Sequence, residues 1–232
     1  MTSQPPARKP EGELRRGWTT GTCAAAAAAA AFRALLTGEI QRSVTVRLPK
    51  GEAPTFELAR CEKTADGWRA GVIKDAGDDP DVTHGAEVIS TVRTLREGDG
   101  VRFKAGDGVG TVTLPGLPVP VGEPAINPGP RAIISDALQA VADELDASCD
   151  LEVTVSIPGG DKIAEKTMNP RLGIKGGLSV LGTTGIVIPF SCASWINSIH
   201  RGIDVARLQG IEHLIAATGS TSEAAAMREH PE

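Results

Sequence analysis

The apolar positions change period several times along the chain. Behind "RRGWTTGT" (15–22) come Cys23 and eight consecutive alanines, then "FRALLTG" (32–38). Ala is the best intrinsic helix former and carries nothing beyond Cβ, so this run predicts a helix that neighbours can approach closely. "SVTVRL" (43–48) alternates and is β-branched, which predicts a strand. "TFELARCEKTADGWRAGVIKD" (55–75) reads as a hairpin turning at "TADG", and "AGDDPDVTHG" (76–85) as a loop with no apolar period. "AEVISTVRTL" (86–95) predicts a strand and "GVRFKAGDGVGTVTLPG" (100–116) a further hairpin. "PVPVGEPAINPGP" (118–130) is too rich in proline for a regular element. Over 130–145, Ile133, Ile134, Leu138, Val141 and Leu145 share one helical stripe, with Pro130 at an early position. "DLEVTVSIPGG" (150–160) returns to a strand. Residues 13–168 therefore read as strands with two helices packed on them, an α+β domain.

The texture changes near residue 170. "GLSVLGTTGIVIP" (177–189) is apolar and glycine-rich, and a helix follows over 191–210, with Ser191 or Ser194 as N-cap and Gly210 as stop. A short buried-type strand is expected over 211–219, then a helix opened by Thr221 or Ser222. This is the rhythm of an α/β unit with barely one crossover, so residues 169–232 are expected to begin an incomplete α/β, cofactor-binding domain.

Composition narrows the function. Of 232 residues, 41% are hydrophobic, enough for a real core. Aromatics make up 3%, with no tyrosine, which argues against a stacking surface for single-stranded nucleic acid. A net charge of −5 supplies no basic field for DNA or anionic lipid. No apolar run approaches the ~18 residues of a membrane helix. Residues 1–12, polar and proline-rich, read as a flexible tail and not a signal peptide. Cys23, Cys61, Cys149 and Cys192 lie far apart and read as reduced, buried thiols of a cytoplasmic protein. The four histidines are scattered as well, so no protein-bound metal is expected.

Three stretches carry candidate chemistry. In "NPRLGIKGGLSVLGTTGIV" (169–187), Gly173, Gly176, Gly177, Gly182 and Gly185 crowd beside Ser179, Thr183 and Thr184. Glycine admits positive φ and close approach of a ligand, and such loops bind phosphates, carboxylates or nucleosides through amide N–H groups. The segment has neither a P-loop nor a dinucleotide fingerprint, and it reads equally as a turn-rich connection. Thr19, Thr20, Gly21 and Thr22 stand at the start of the alanine helix, where the helix dipole favours an anion, although capping by Thr20 or Thr22 accounts for them as well. Arg15 and Arg16 precede them and suit bidentate pairing with carboxylates. "DAGDDPDVTHG" (75–85) gathers Asp75, Asp78, Asp79, Asp81 and His84. It suits a hard cation, an acid or base, or a solvated acidic turn.

Four long segments, "LRRGWTTGTCAAAAAAAA", "KDAGDDPDVTHG", "DGVGTVTLPGLPVPVGEPAINPGPR" and "NPRLGIKGGLSVLGTTGIVIPFS", resemble in order the CbiD family, the cobalt-precorrin-5B (C1)-methyltransferases of the anaerobic cobalamin pathway. The resemblance runs from about residue 13 to about residue 220. It implies methyl transfer from S-adenosylmethionine to C1 of a cobalt-containing tetrapyrrole, giving cobalt-precorrin-6A, with cobalt present only as part of the substrate. It implies that residues 13–168 are of the ribosomal S5 domain-2 type. Chains of this family continue past the end of this one, so it reads as C-terminally shortened: a fragment, a deletion or a short relative. On this reading Gly176, Gly177, Ser179, Gly182, Thr183, Thr184 and Gly185 bind the donor. Arg15, Arg16, Thr19, Thr20, Thr22, Arg131, Arg171 and Lys175 meet the substrate carboxylates. Asp81 or His84 handles the proton lost after methylation. Expected partners are the anionic tetrapyrrole, other corrin-pathway enzymes and further copies of the chain, with no nucleic acid and no membrane. Two other readings stand beside it: a non-catalytic tetrapyrrole-binding or handover protein, and a nucleotide-binding, small-molecule-kinase-like transferase, because "GGLSVLGTTG" superficially resembles the Gly/Ser loop of such kinases.

Overall fold

The computed structural model describes residues 12–230, so the tail expected over 1–12 lies almost wholly outside the described residues. The chain opens with β1 (Gly17–Trp18) and α1 (Thr20–Thr37), then β2 (Ser43–Thr45), β3 (Thr55–Glu57), β4 (Arg60–Lys63), β5 (Trp68–Ile73), β6 (Glu87–Thr94), β7 (Val101–Ala105) and β8 (Thr111–Val112). It continues with α2 (Pro128–Leu145), β9 (Leu151–Ser156), α3 (Gly160–Ala164), β10 (Ile174–Lys175), β11 (Ile186–Val187), α4 (Cys192–Leu208) and α5 (Ser220–Glu229). This is a mixed α+β arrangement, as the alternating periods indicated.

The centre is a five-stranded sheet in the order β4-β5-β6-β9-β7. All neighbours are antiparallel except β7 and β9, which are parallel. Parallel neighbours need a crossover, and α2 lies in the connection that provides it. The hairpin expected over 100–116 is therefore not formed. The chain leaves β7 for β8, which pairs with the distant β10, while β7 takes β9 as its neighbour. Period two assigns the faces: Val88, Ser90 and Val92 of β6 and Leu151, Val153 and Val155 of β9 are buried. The opposite face carries ion pairs, Arg60 to Glu87 and Arg93 and Lys104 to Glu152.

α1 buries fourteen of its eighteen residues against the sheet and α2. Side chains that end at Cβ let its backbone lie close to both, and the Ser90 hydroxyl donates directly to the Ala24 carbonyl at 2.8 Å. By length and composition α1 is apolar enough to cross a membrane, which the run-length reading had not anticipated, but most of it is enclosed in the core. The stripe on α2 packs as expected, with Ile133, Ile134, Leu138 and Val141 buried.

Residues 188–230 differ. α4 is capped by Ser191, whose Oγ accepts from the Ser194 amide, yet only Val205 and Ala206 of it are buried. Val205 lies against Gly116, where an added Cβ would sit 2.7 Å from the Val205 Cα. The strand expected over 211–219 does not form. Residues 211–217 take no regular structure and are exposed, without a ladder partner among the described residues, and an apolar run becomes a strand only when a sheet edge takes up its backbone groups. Cys192 is exposed, contrary to expectation, whereas Cys23 and Cys61 are buried.

Candidate functional site

The three chemistry-bearing stretches converge on the start of α1. β1 pairs antiparallel with β11, placing Gly17 opposite Val187 and Trp18 opposite Ile186. On its other side β1 touches the acidic loop: the Trp18 amide donates to the Asp75 carbonyl at 2.8 Å, and an added Cβ at Gly17 would lie 2.0 Å from the Ala76 carbonyl carbon. Glycine is required there by contact alone.

The cap of α1 is Thr19, not Thr20 or Thr22. Its Oγ1 accepts from the Thr22 amide at 3.2 Å. The glycine-rich loop closes the rest of the helix entrance. The Thr19 and Gly21 amides donate to the carbonyls of Gly185 and Leu181, and the buried Thr22 hydroxyl donates to Gly185 O at 2.7 Å. The positive end of the helix is thus occupied by protein carbonyls, which corrects the expectation that Thr19, Thr20 and Thr22 offer it to a substrate carboxylate. Gly182 and Gly185 owe their identity to this closure. Cβ atoms there would stand 2.4 Å from Thr19 Cβ and 2.7 Å from Thr22 Oγ1, and both backbones have positive φ. Gly177 presses in the same way on Gly108, while Gly176 is open to solvent. The Ser179 hydroxyl bonds Asn169 at 3.1 Å, and Thr184 Oγ1 accepts from the Ile186 amide at 3.3 Å. Having turned carbonyls inward, the loop leaves the amides of Gly182, Thr183, Thr184 and Gly185 without a protein acceptor among the described residues. Unpaired N–H groups suit an anion where they converge on one point.

The acidic loop spends its carboxylates on protein donors. Asp75 holds Arg15 in a bidentate pair at 2.5 and 2.9 Å and accepts from the Gly77 amide. The Arg15 hydrogen bonds come first, and they pull its carboxyl down to about 2. Asp78 accepts from the Arg15 amide at 2.7 Å. Asp79 accepts at 2.9 Å from the amide of Phe190, a non-glycine residue held at φ 55°. Asp81 receives Lys74 Nζ on Oδ2 at 2.5 Å and both the amide and the hydroxyl of Thr83 on Oδ1. Burial alone would raise its carboxyl, but the Lys74 charge and these hydrogen bonds outweigh burial and hold it below the usual range. Among the described residues no cluster of acids, histidines and cysteines is arranged to hold a metal.

Lys74 was not anticipated, although β5 announces it. Ala70 and Val72 face the core, and period two carries residue 74 onto the same side. Its side chain is 1% exposed, next to Cys23, whose thiol burial pushes up to about 12 despite the Lys74 charge. That thiol is no nucleophile near neutral pH. His84 accepts the Ala76 amide on Nδ1 at 3.1 Å, which puts the neutral ring's proton on the other nitrogen of a half-exposed imidazole.

The proposed cations separate into two groups. Arg15 is committed to Asp75, Arg171 to Glu223 at 2.6 Å, and Arg131 to the Ile126 carbonyl at 2.8 Å while lying over the Phe103 ring. Arg16 and Lys175 are exposed and make no ion pair among the described residues. Two cavities among the described residues bear on the site. A groove of about 740 Å³ between β2 and the paired helices is lined by Arg33, Arg47, Asp136 and Glu144, with Arg33 and Glu144 bonded to each other. A hollow of about 340 Å³ lies beside β1, walled by Trp18 and Phe56. The larger groove reaches the glycine-rich loop through Leu48, which packs against Gly185, but its charges cancel; the smaller one adjoins Trp18 and Asp75, where β1 meets the acidic loop.

The sequence profile of CbiD matches residues 7–189. The chain belongs to the CbiD family. It is 62% identical over 214 residues to the cobalt-precorrin-5B C(1)-methyltransferase of Methylorubrum extorquens, spanning 92% of this chain and 59% of that one. It is 62% identical over 212 residues to the enzyme of the same name from Agrobacterium fabrum, spanning 91% and 56%. Among solved structures, the cobalamin biosynthesis protein (cbiD) of Archaeoglobus fulgidus superposes with a TM-score of 0.61 at 33% identity, over 95% of this chain and 69% of that one. The chain thus spans a little under three-fifths of the length of the curated relatives.

Proposed function

We propose that the chain takes part in C1 methylation of cobalt-precorrin-5B in cobalamin biosynthesis. The observation that carries this reading is the 62% identity, across nearly the whole chain, to proteins bearing that name. S-adenosylmethionine supplies an already activated methyl, and the acceptor carbon is electron-rich and enamine-like. The protein's task is then chiefly to hold the two at near-attack distance, an effect that can supply roughly 7–11 kcal/mol of the barrier. No Ser-His-Asp arrangement or resident metal is required.

In this reading the 176–185 loop grips the carboxylate end of the donor, a role supported by the unpaired amides of 182–185. Arg16 and Lys175 meet carboxylates of the tetrapyrrole, because Arg15, Arg131 and Arg171 are committed within the protein. Neither candidate base keeps a free acceptor in this arrangement: Asp81 is saturated by Lys74 and Thr83, and His84 has Nδ1 taken by the Ala76 amide, so its other nitrogen is left to donate, for instance in orienting a ring group of the tetrapyrrole. Residues 13–168 form the α+β domain, of the ribosomal S5 domain-2 type. Residues 169–232 open the α/β domain, with β10 and β11 laid back across the first. The reaction is cytoplasmic, and the tetrapyrrole is handed over by neighbouring enzymes of the pathway to a chain that associates with further copies of itself.

The test is a single-turnover assay of the chain with S-adenosylmethionine and cobalt-precorrin-5B, read by mass spectrometry. A product one methyl heavier supports the reading. Tetrapyrrole binding with no donor binding would identify the handover protein instead. Binding of ATP-Mg in preference to the donor would identify the kinase-like one.

A further inference from the structure

We infer that the hollow beside β1 seats the purine ring of the methyl donor, a deepening that rests on the methyltransferase reading above. The chain contains only seven aromatic residues, four Phe and three Trp. Two of them, Trp18 and Phe56, meet here edge to face, with centroids 5.6 Å apart and planes at 71°. Trp18, only partly buried, lines the cavity, with Phe56 buried behind it. Ile73 of β5, on the exposed face of its strand, adds apolar surface, and Glu57 and Asp75 also line the cavity. The cavity, about 340 Å³, is at the lower end of small-molecule sites. It suits a nucleoside and is too small for a substituted tetrapyrrole.

The chemistry of the lining selects the ligand. A flat π-system stacks on Trp or Phe whatever its sequence of polar edges. A carboxylate at the rim accepts from a ribose diol, as acidic residues do in nucleotide folds. The donor is also a sulfonium cation, and aromatic faces and the Glu57 carboxylate both attract positive charge. Asp75 is committed to Arg15, so Glu57, exposed on β3, is the rim carboxylate available to the ligand. Position agrees as well. Trp18 is the β1 residue paired with Ile186, the neighbour of Gly185, so the hollow adjoins the segment whose amides are assigned to the carboxylate end of the same molecule.

The experiment titrates the 232-residue chain with S-adenosylmethionine and with S-adenosylhomocysteine, which lacks the sulfonium charge, following tryptophan fluorescence and heat. Trp18→Leu should weaken both ligands about tenfold or more. Glu57→Lys, on an exposed position that leaves the core untouched, should weaken the sulfonium ligand more than the uncharged one. Affinity for a cobalt uroporphyrin should be unchanged in both variants. Wild-type affinity for both adenosyl ligands in Glu57→Lys, and in Trp18→Leu with intact circular dichroism, would overturn the seat and leave methyl transfer standing. If the unsubstituted chain binds neither ligand at millimolar concentration, the donor reading falls and takes this assignment with it.

Discussion

The entrance of α1 and the surface of α4 are both built from helix and loop, and they behave oppositely. At α1 most of the enclosed polar groups have been given specific partners. The Thr19 and Gly21 amides and the Thr22 hydroxyl reach the 181–185 loop, and Lys74 reaches Asp81. On α4, Trp195, Ile199 and Ile203 stand four residues apart on an exposed face, and only Val205 and Ala206 enter the core. The contrast shows how a sequence builds in strictness: where a charge or hydroxyl is buried, geometry must be met, and where apolar groups merely lie in water, much is tolerated.

The comparison breaks most severely at Lys74. Asp81→Asn leaves the buried ammonium without its counter-charge and should cost about 3–5 kcal/mol, read by urea denaturation. A loss under about 1 kcal/mol, the range of an exposed pair, would mean that water reaches Lys74. Next comes Thr22→Val, which keeps the shape but leaves the Gly185 carbonyl without its side-chain donor. It should cost about 1–3 kcal/mol and should speed amide exchange across the α1 entrance.

Acid should loosen the same entrance. The Asp75 carboxyl is held near 2, below its ordinary 3.8. Because the folded value is the lower one, its contribution is complete above 3.8 and fades as pH falls toward 2. Asp75→Asn should therefore flatten the stability profile in that window, by a small amount because the pair is largely exposed. The smallest effect is expected on the other side of the comparison. Ile199→Glu should change stability by no more than about 0.5 kcal/mol, since it removes no buried contact. A large loss there would reveal that α4 is packed in solution.

Much of this was legible beforehand. The alanine run, the "TADG" turn, the α2 stripe and the Ser191 cap each announce themselves through local chemistry, and each is where the sequence puts it. The hairpin over 100–116 was misread because strand propensity says nothing about which neighbour a strand takes. β7 chose β9, fifty residues away, and the same limit produced a strand over 211–219 where no edge waits. The aspartates suggested a shared task, but Asp75 and Asp78 hold Arg15 and Asp79 holds Phe190, donors that the three-dimensional path of the chain brings in, while Asp81 takes the nearby Lys74 and Thr83.

By itself, then, the sequence determined the local elements, the family and the neighbourhoods rich in chemistry, because propensity, periodicity and motif are properties of adjacent residues. Tertiary structure alone decided that Thr19–Thr22 is closed by the loop at 181–185, that Lys74 lies under the acidic turn and that Trp18 meets Phe56. The first and last depend on contacts between segments 38 to 166 residues apart, and the burial of Lys74, only seven residues from Asp81, depends on the core that closes over it; both are fixed by the packing of the whole core.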